Sequence, residues 1–190
     1  MATLKIQIRE AHIGDLGEVA DLWEEMAEHH ATLSHHFTVS EDGKDKYSRY
    51  LARKFSEKST KLVVATSGPR VIGYMLCLLS PNAPVFKERT VGLVSDVYVR
   101  PEFRMRGVAK EMLKYGLRWF HKNRVASVQL SVAAANFAAR SAWSQLGFKP
   151  HMILKRLDLD KYPATKMLSE EPIVVRKKVV RKVQKTRKGK

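Results

Sequence analysis

Apolar and polar residues alternate over residues 5–10, with Ile6 and Ile8 on one side, and this two-residue period predicts a half-buried strand. The period then lengthens. Leu16, Val19, Ala20, Leu22, Trp23 and Met26 recur at helical spacing, Asp15 is placed as an N-cap, and Glu18 three residues on completes a capping box. This helix is expected to reach about His30, and a second, over 40–56, carries Tyr47, Tyr50, Leu51 and Phe55 on one side. Apolar runs at 62–66 and 71–79 flank Ser67-Gly68-Pro69-Arg70, a turn signal that predicts a hairpin. A Pro-containing loop over 80–84 leads to a strand at 90–100 and a helix at 107–123, then a strand at 127–133, a helix at 136–146 and a last strand at 148–157. The order of strand, two helices, three strands, helix, strand, helix, strand predicts a mixed α/β domain, and no internal repeat is visible.

The stretch 93–113 organises the rest. Val94, Val97, Tyr98 and Val99 favour a strand that Pro101 cannot continue, and from Val108 the apolar residues Met112, Leu113, Leu117 and Phe120 fall at helical spacing. Between strand and helix lies Arg104-x-x-Gly107-x-Ala109, where small residues let a ligand approach the backbone. The first N–H groups of a helix have no internal partner and carry the positive end of its dipole, so a phosphate or pyrophosphate is the natural ligand. No Gly-Lys-Ser/Thr follows, which excludes a P-loop, and the first two glycines of a dinucleotide fingerprint are missing.

The string Val99-x-Pro101-x-Phe103-Arg104-x-x-Gly107-x-Ala109, preceded by Ser95-Asp96-Val97-Tyr98, resembles the acyl-CoA-binding motif of the GNAT superfamily of N-acyltransferases, V-x-P-x-[YF]-[RQ]-x-x-G-x-[GA]. A second segment, from Asn136 through Arg140, Trp143 and Leu146 to Gly147-Phe148, resembles that family's N-x-x-A-x-x-x-Y-x-x-x-G-F. The resemblance covers roughly residues 4–157. It implies an α/β, GNAT-like fold: a mixed, mostly antiparallel central sheet flanked by helices, with splayed central strands between which pantetheine slides. It also implies acetyl-CoA as co-substrate and direct transfer of the acetyl group to an amine. Backbone amides of Arg104, Met105, Arg106, Gly107, Val108, Ala109 and Lys110 would hold the pyrophosphate. Val97, Tyr98 and Val99 would lie along the pantetheine, with the Val97 N–H directed at the thioester oxygen. Asn136 is a helix N-cap by position, and the matching residue of the family often also contacts the pantetheine arm.

Trp143 departs from the family pattern. Many relatives carry a tyrosine there as general acid, whereas an indole N–H cannot release its proton to a thiolate. Trp143 can line the cofactor channel but cannot be that acid, which leaves water, another residue such as Tyr98, or unassisted departure of the thiolate. Asp96 is the candidate base, with Glu88 also near the central strand; Asp96 follows Ser95 and points to the face opposite the Val97 side chain. A carboxylate inside a sheet needs a partner or a raised pKa, and a structural role as a cap or an arginine partner is the competing reading.

The 190 residues suffice for one well-buried domain, expected over 1–160, followed by a flexible basic extension over 161–190. The formal charge is +16, but residues 173–190 hold nine Lys or Arg and no acid, leaving +7 for the rest. Such a tail suits non-specific contact with nucleic acid. The longest apolar run is far short of a membrane span, the N-terminus lacks a signal-peptide core, and one cysteine, Cys77, fits a reducing compartment, so a cytoplasmic protein is expected. His29, His30, His35 and His36 lack the spacing that places two imidazoles on one helical face, and no metal site is expected. The acceptor is expected to be an amine of a small molecule or a protein. The competing class is a non-catalytic acyl-CoA-binding or nucleic-acid-associated protein on a GNAT scaffold. Dimers are frequent in the family, so a homodimer is compatible with the resemblance.

Overall fold

The computed structural model describes residues 5–161. The basic extension expected over 161–190 therefore lies, but for its first residue, outside the described residues. These fall into two units, one ending at Lys149 and the other beginning at Pro150.

In the first unit, β1 (Ile6–Glu10) leads to α1 (Leu16–Leu33) and α2 (Gly43–Phe55), then β2 (Thr60–Ser67), β3 (Arg70–Pro81) and β4 (Thr90–Val99). After these come α3 (Val108–Lys122), β5 (Val128–Leu130) and α4 (Phe137–Gln145). The strands form one sheet in the order β1-β2-β3-β4-β5, antiparallel except for the parallel β4–β5 pair. The expected hairpin is present: Ser67 faces Arg70, and Gly68 supplies the positive φ (+59°) that a two-residue turn needs.

Alternation along the strands builds a core on each face of the sheet. Leu62, Val64, Tyr74, Leu76 and Tyr98 pack with Val19, Leu22, Met26, Tyr47 and Leu51 of α1 and α2. Val63, Ala65, Met75, Cys77, Val94 and Val99 pack with Val108, Met112, Leu113 and Phe120 of α3. Cys77 is the small buried hydrophobe its setting suggests, and burial pushes its thiol up to about 12. Gly116 of α3 lies so close that a Cβ there would sit 2.9 Å from the Cys77 sulfur.

Several expectations are corrected. Asp15 does precede α1, but its carboxylate does not cap that helix; it takes two bonds from Arg9, at 2.6 and 2.9 Å, and one from the His12 N–H, which closes the short turn Ile13–Asp15 before α1. A buried carboxylate is better matched by a guanidinium fork than by a single amide. Glu18 closes no box and instead accepts from the Val71 N–H, tying α1 to the hairpin. The second helix starts at Gly43, because Ser40 closes a turn to the Gly43 N–H. The strand expected over 127–133 is only three residues long. In the second unit, residues 150–157 form no strand: Pro150 lacks a ladder donor, and apolar alternation without a paired neighbour does not make a strand. Among the described residues no helix is long and apolar enough to cross a membrane.

Candidate active site

The site is built on a register change in β4. Opposite β3, Asp96 faces Leu76 while Val94 faces Cys77, so Ser95 is an extra residue in the ladder. Such a bulge reverses which side of the strand each later peptide faces. Two bonds show the reversal: the Gly92 N–H donates to Ser127 on the β5 side, but the Arg100 N–H, eight residues on, donates to Ile72 on the β3 side. Without the bulge both would point the same way. Past Ser95 it is therefore Val97 and Val99 that turn their peptide groups away from β3. On that side β5 pairs only with Gly92, Leu93 and Val94 and ends at Leu130. Among the described residues the edge of β4 beyond Val94 is thus left open, the splay expected from the family resemblance. Part of it is used within the chain: the Val99 carbonyl accepts from Arg104 Nε at 2.8 Å.

β4 runs into a short turn, Pro101–Phe103, that buries Phe103 against the α3-side core. The Arg104 N–H is spent on the Pro101 carbonyl, and its guanidinium lies over the Tyr98 ring, 5.3 Å from the centroid. The free run of amides accordingly starts one residue later than expected. From Met105 to Lys110 no backbone N–H bonds a backbone carbonyl of another described residue; the first bond of α3 is Glu111 N–H to Gly107, at 3.0 Å. Met105 and Gly107 hold positive φ, +59° and +78°, which folds these amides around the start of α3. A Cβ built on Gly107 meets nothing within 4 Å, so the space above this residue is open. These features fit a pyrophosphate: unsatisfied donors, the positive end of a fifteen-residue helix, and no side chain in the way.

Asn136 caps α4, its side-chain oxygen accepting from the Ala139 N–H at 3.0 Å. Trp143, on α4, is half-buried against the α3-side core and meets Phe148 edge-on at 5.4 Å. Val97 and Val99 direct their side chains into that same core.

The other face of β4 carries the titratable groups. Asp96 is half-buried, and desolvation pushes its carboxyl up to about 6. Tyr47 Oη of α2 lies 3.5 Å from its Oδ2. Tyr98 faces the α1–α2 side; burial first, then Glu25, raises its phenol, and Glu25 also pairs with Arg100 at 2.5 Å. The Tyr98 hydroxyl is thus engaged with α1. Glu88 accepts from Ser127 Oγ at 2.8 Å, holding the loop before β4 to the start of β5. Two features escaped the sequence reading. The bulge has a signal, since Ser95-Asp96 places two polar residues in succession where strand alternation allows one. The Tyr47 contact with Asp96, 49 residues away in sequence, has none.

The sheet with parted strands, the amide-lined turn and the capped α4 define an acyltransferase of the GNAT class. The chain belongs to the acetyltransferase (GNAT) family, whose model matches residues 20–148. It is 28% identical over 149 residues to thialysine N-epsilon-acetyltransferase of Bos taurus, a match covering 75% of this chain and 83% of that one. Among solved structures, a tetramutant of the BH1408 protein from Bacillus halodurans superposes with a TM-score of 0.70 at 20% identity, covering 80% of this chain and 99% of that one. The aminoglycoside N-acetyltransferase AAC(6')-Iy, in complex with CoA, gives 0.67 at 17% identity over 80% and 95% of the two chains. The fold is shared with both, and family membership makes this chain an N-acetyltransferase.

Proposed function

We propose that the chain transfers an acetyl group from acetyl-CoA directly to a primary amine of a small molecule or protein. The observation that carries this reading is the bulge at Ser95, which turns the Val97 and Val99 peptides toward an open strand edge that leads to the free amides of Met105 to Lys110. The peptide groups of Val97 and Val99 would hold pantetheine along β4, and the amides of Met105 to Lys110 would hold the pyrophosphate at the start of α3. The bound thioester supplies an activated acetyl group. The chain supplies the rest: the Val97 N–H donates to the carbonyl oxygen as negative charge develops there, Asp96 takes the proton of the acceptor amine, and Asn136 and Trp143 flank the cofactor arm. Tyr98 lines the strand, its hydroxyl held by Glu25. With tryptophan at 143, the thiolate departs without a tyrosine acid and takes its proton from solvent.

The bovine relative is named for a lysine-like amine, and the neighbour AAC(6')-Iy for an aminoglycoside. Both acceptors are small cationic amines, and this supports a small-molecule acceptor here. The test is calorimetric titration with acetyl-CoA followed by thiol release across thialysine, aminoglycosides and polyamines. Saturable binding with release on one of these classes is expected. Binding without release on any of them moves the acceptor to a protein amine, and absence of binding overturns the reading.

A further inference from the structure

We propose that Tyr47 is a positioning residue for Asp96: its hydroxyl, carried in on α2, donates to the carboxylate and sets the pH at which that group can accept a proton. The proposal rests on the reading of Asp96 as the base.

Tyr47 is buried and fixed on both sides. Its ring stacks on Trp23 of α1 at 4.3 Å with planes 7° apart, and Tyr50 lies 6.0 Å away. Behind it, Tyr74 of β3 is fully buried; its hydroxyl interacts with that of Tyr47 and reaches Met26 Sδ at 4.0 Å. The rings therefore hold the Tyr47 oxygen against Asp96, and no rotation is needed to keep it there. Burial and the neighbouring carboxylate both raise the Tyr47 phenol, so it remains a donor throughout the working range of pH. The distance of 3.5 Å is long for such a bond, and a fully charged carboxylate shielded from water is expected to shorten it.

The groups acting on Asp96 come from three elements. Ser95 of its own strand and Tyr47 of α2 hold the carboxylate down, while Tyr74 of β3 acts through Tyr47; Tyr98 and Glu25 face the next turn of the strand. No described lysine or arginine acts on Asp96. Desolvation raises the carboxyl, and hydroxyls rather than a counter-cation oppose it. This arrangement suits a base that must be charged before reaction and neutral just after it. In the step, a proton passes from the acceptor ammonium to Asp96. The freed amine forms the C–N bond with the acetyl carbon, the C–S bond breaks with its electron pair leaving on sulfur, and the nitrogen's second proton passes to solvent. Asp96 then returns its proton to water. A cation beside Asp96 would hold the carboxylate too far down to accept that proton, whereas a phenol donor stabilises the charge without abolishing its basicity.

The experiment compares wild type, Y47F, Y74F and D96N as full-length chains. The Asp96 carboxyl is followed by carbon NMR against pH, assigned by its loss in D96N, and kcat/KM against pH is measured with acetyl-CoA and thialysine. In Y47F the Asp96 titration is expected to move up by about half to one pH unit, with a smaller shift in Y74F. The acid limb of kcat/KM should move with it, so that activity falls roughly two- to five-fold at pH 6 and less at pH 8. An Asp96 titration unmoved in Y47F, in a protein with wild-type near-UV dichroism, overturns the proposal. A limb that persists in D96N overturns the reading of Asp96 as base, and the titration still decides whether Tyr47 governs that carboxyl.

Discussion

A charged carboxylate at Asp96 is costly in the folded chain. Its pKa is raised to about 6 from 3.8, so between these values the native state holds a proton that the unfolded state has released, and stability falls as pH rises through that window. D96N should therefore abolish the acid limb of activity yet raise the melting temperature at pH 7, by an amount corresponding to roughly 1–3 kcal/mol. A destabilised or unchanged D96N measured by calorimetry would argue that the carboxylate is structurally satisfied. Gly107 makes the complementary case. Its φ of +78° disfavours any side chain by about 1–2 kcal/mol, while a Cβ would meet nothing within 4 Å among the described residues. G107A is thus expected to fold, to lose about 1 kcal/mol of stability, and to bind acetyl-CoA at least about ten-fold more weakly in calorimetric titration, because the added methyl occupies the ligand's path to the amides. Unchanged acetyl-CoA affinity in a folded G107A would assign the glycine to the turn alone.

Among the elements, β4 contributes most. Deleting Ser95 would restore a regular ladder with β3 and return the Val97 and Val99 peptides to the β3 side. Acetyl-CoA binding should disappear from this variant even if circular dichroism still reports a folded α/β protein; retained micromolar binding would show that the strand edge is not the cofactor's ledge. The elements themselves were legible where the period was sustained, as in α1, α3 and the β2–β3 hairpin. The motif around Gly107 pointed to the free amides at the start of α3 because its logic is local: a helix start needs donors, small residues and nothing else. What could not be read depends on distant partners. Asp15 and Glu18 have the spacing of a capping box, but Arg9 and the Val71 N–H compete for them, and tertiary bonds win. The segment over 148–157 has the composition of a strand, and no sequence pattern reveals whether a ladder is available to it. The placement of Tyr47 over Asp96 likewise follows from the docking of α2, which periodicity does not specify.

For the molecule as a whole, two carboxylates pull stability in opposite directions with pH. The Arg9 guanidinium holds Asp15 below the usual carboxylate range, so Asp15 contributes stability above about 3.8 and loses it as pH falls through the depressed value. Asp96 penalises the native state as pH rises from about 4 to 6 and beyond. From these two groups, thermal stability should peak on the acid side of neutral. D15N should cost about 3 kcal/mol at pH 7 and blunt the acid-side decline, while D96N should flatten the slope above pH 4, both read from melting curves against pH. The Arg9–Asp15 pair also joins β1 to the start of α1, so its loss should loosen the edge of the sheet before the centre. The open edge of β4, finally, is an unfinished hydrogen-bonded surface in the middle of the fold. A ligand that finishes it adds its binding free energy to folding, so the melting temperature should climb with the logarithm of acetyl-CoA concentration. The chain's resistance to unfolding and proteolysis would then rise and fall with the supply of its own acyl donor.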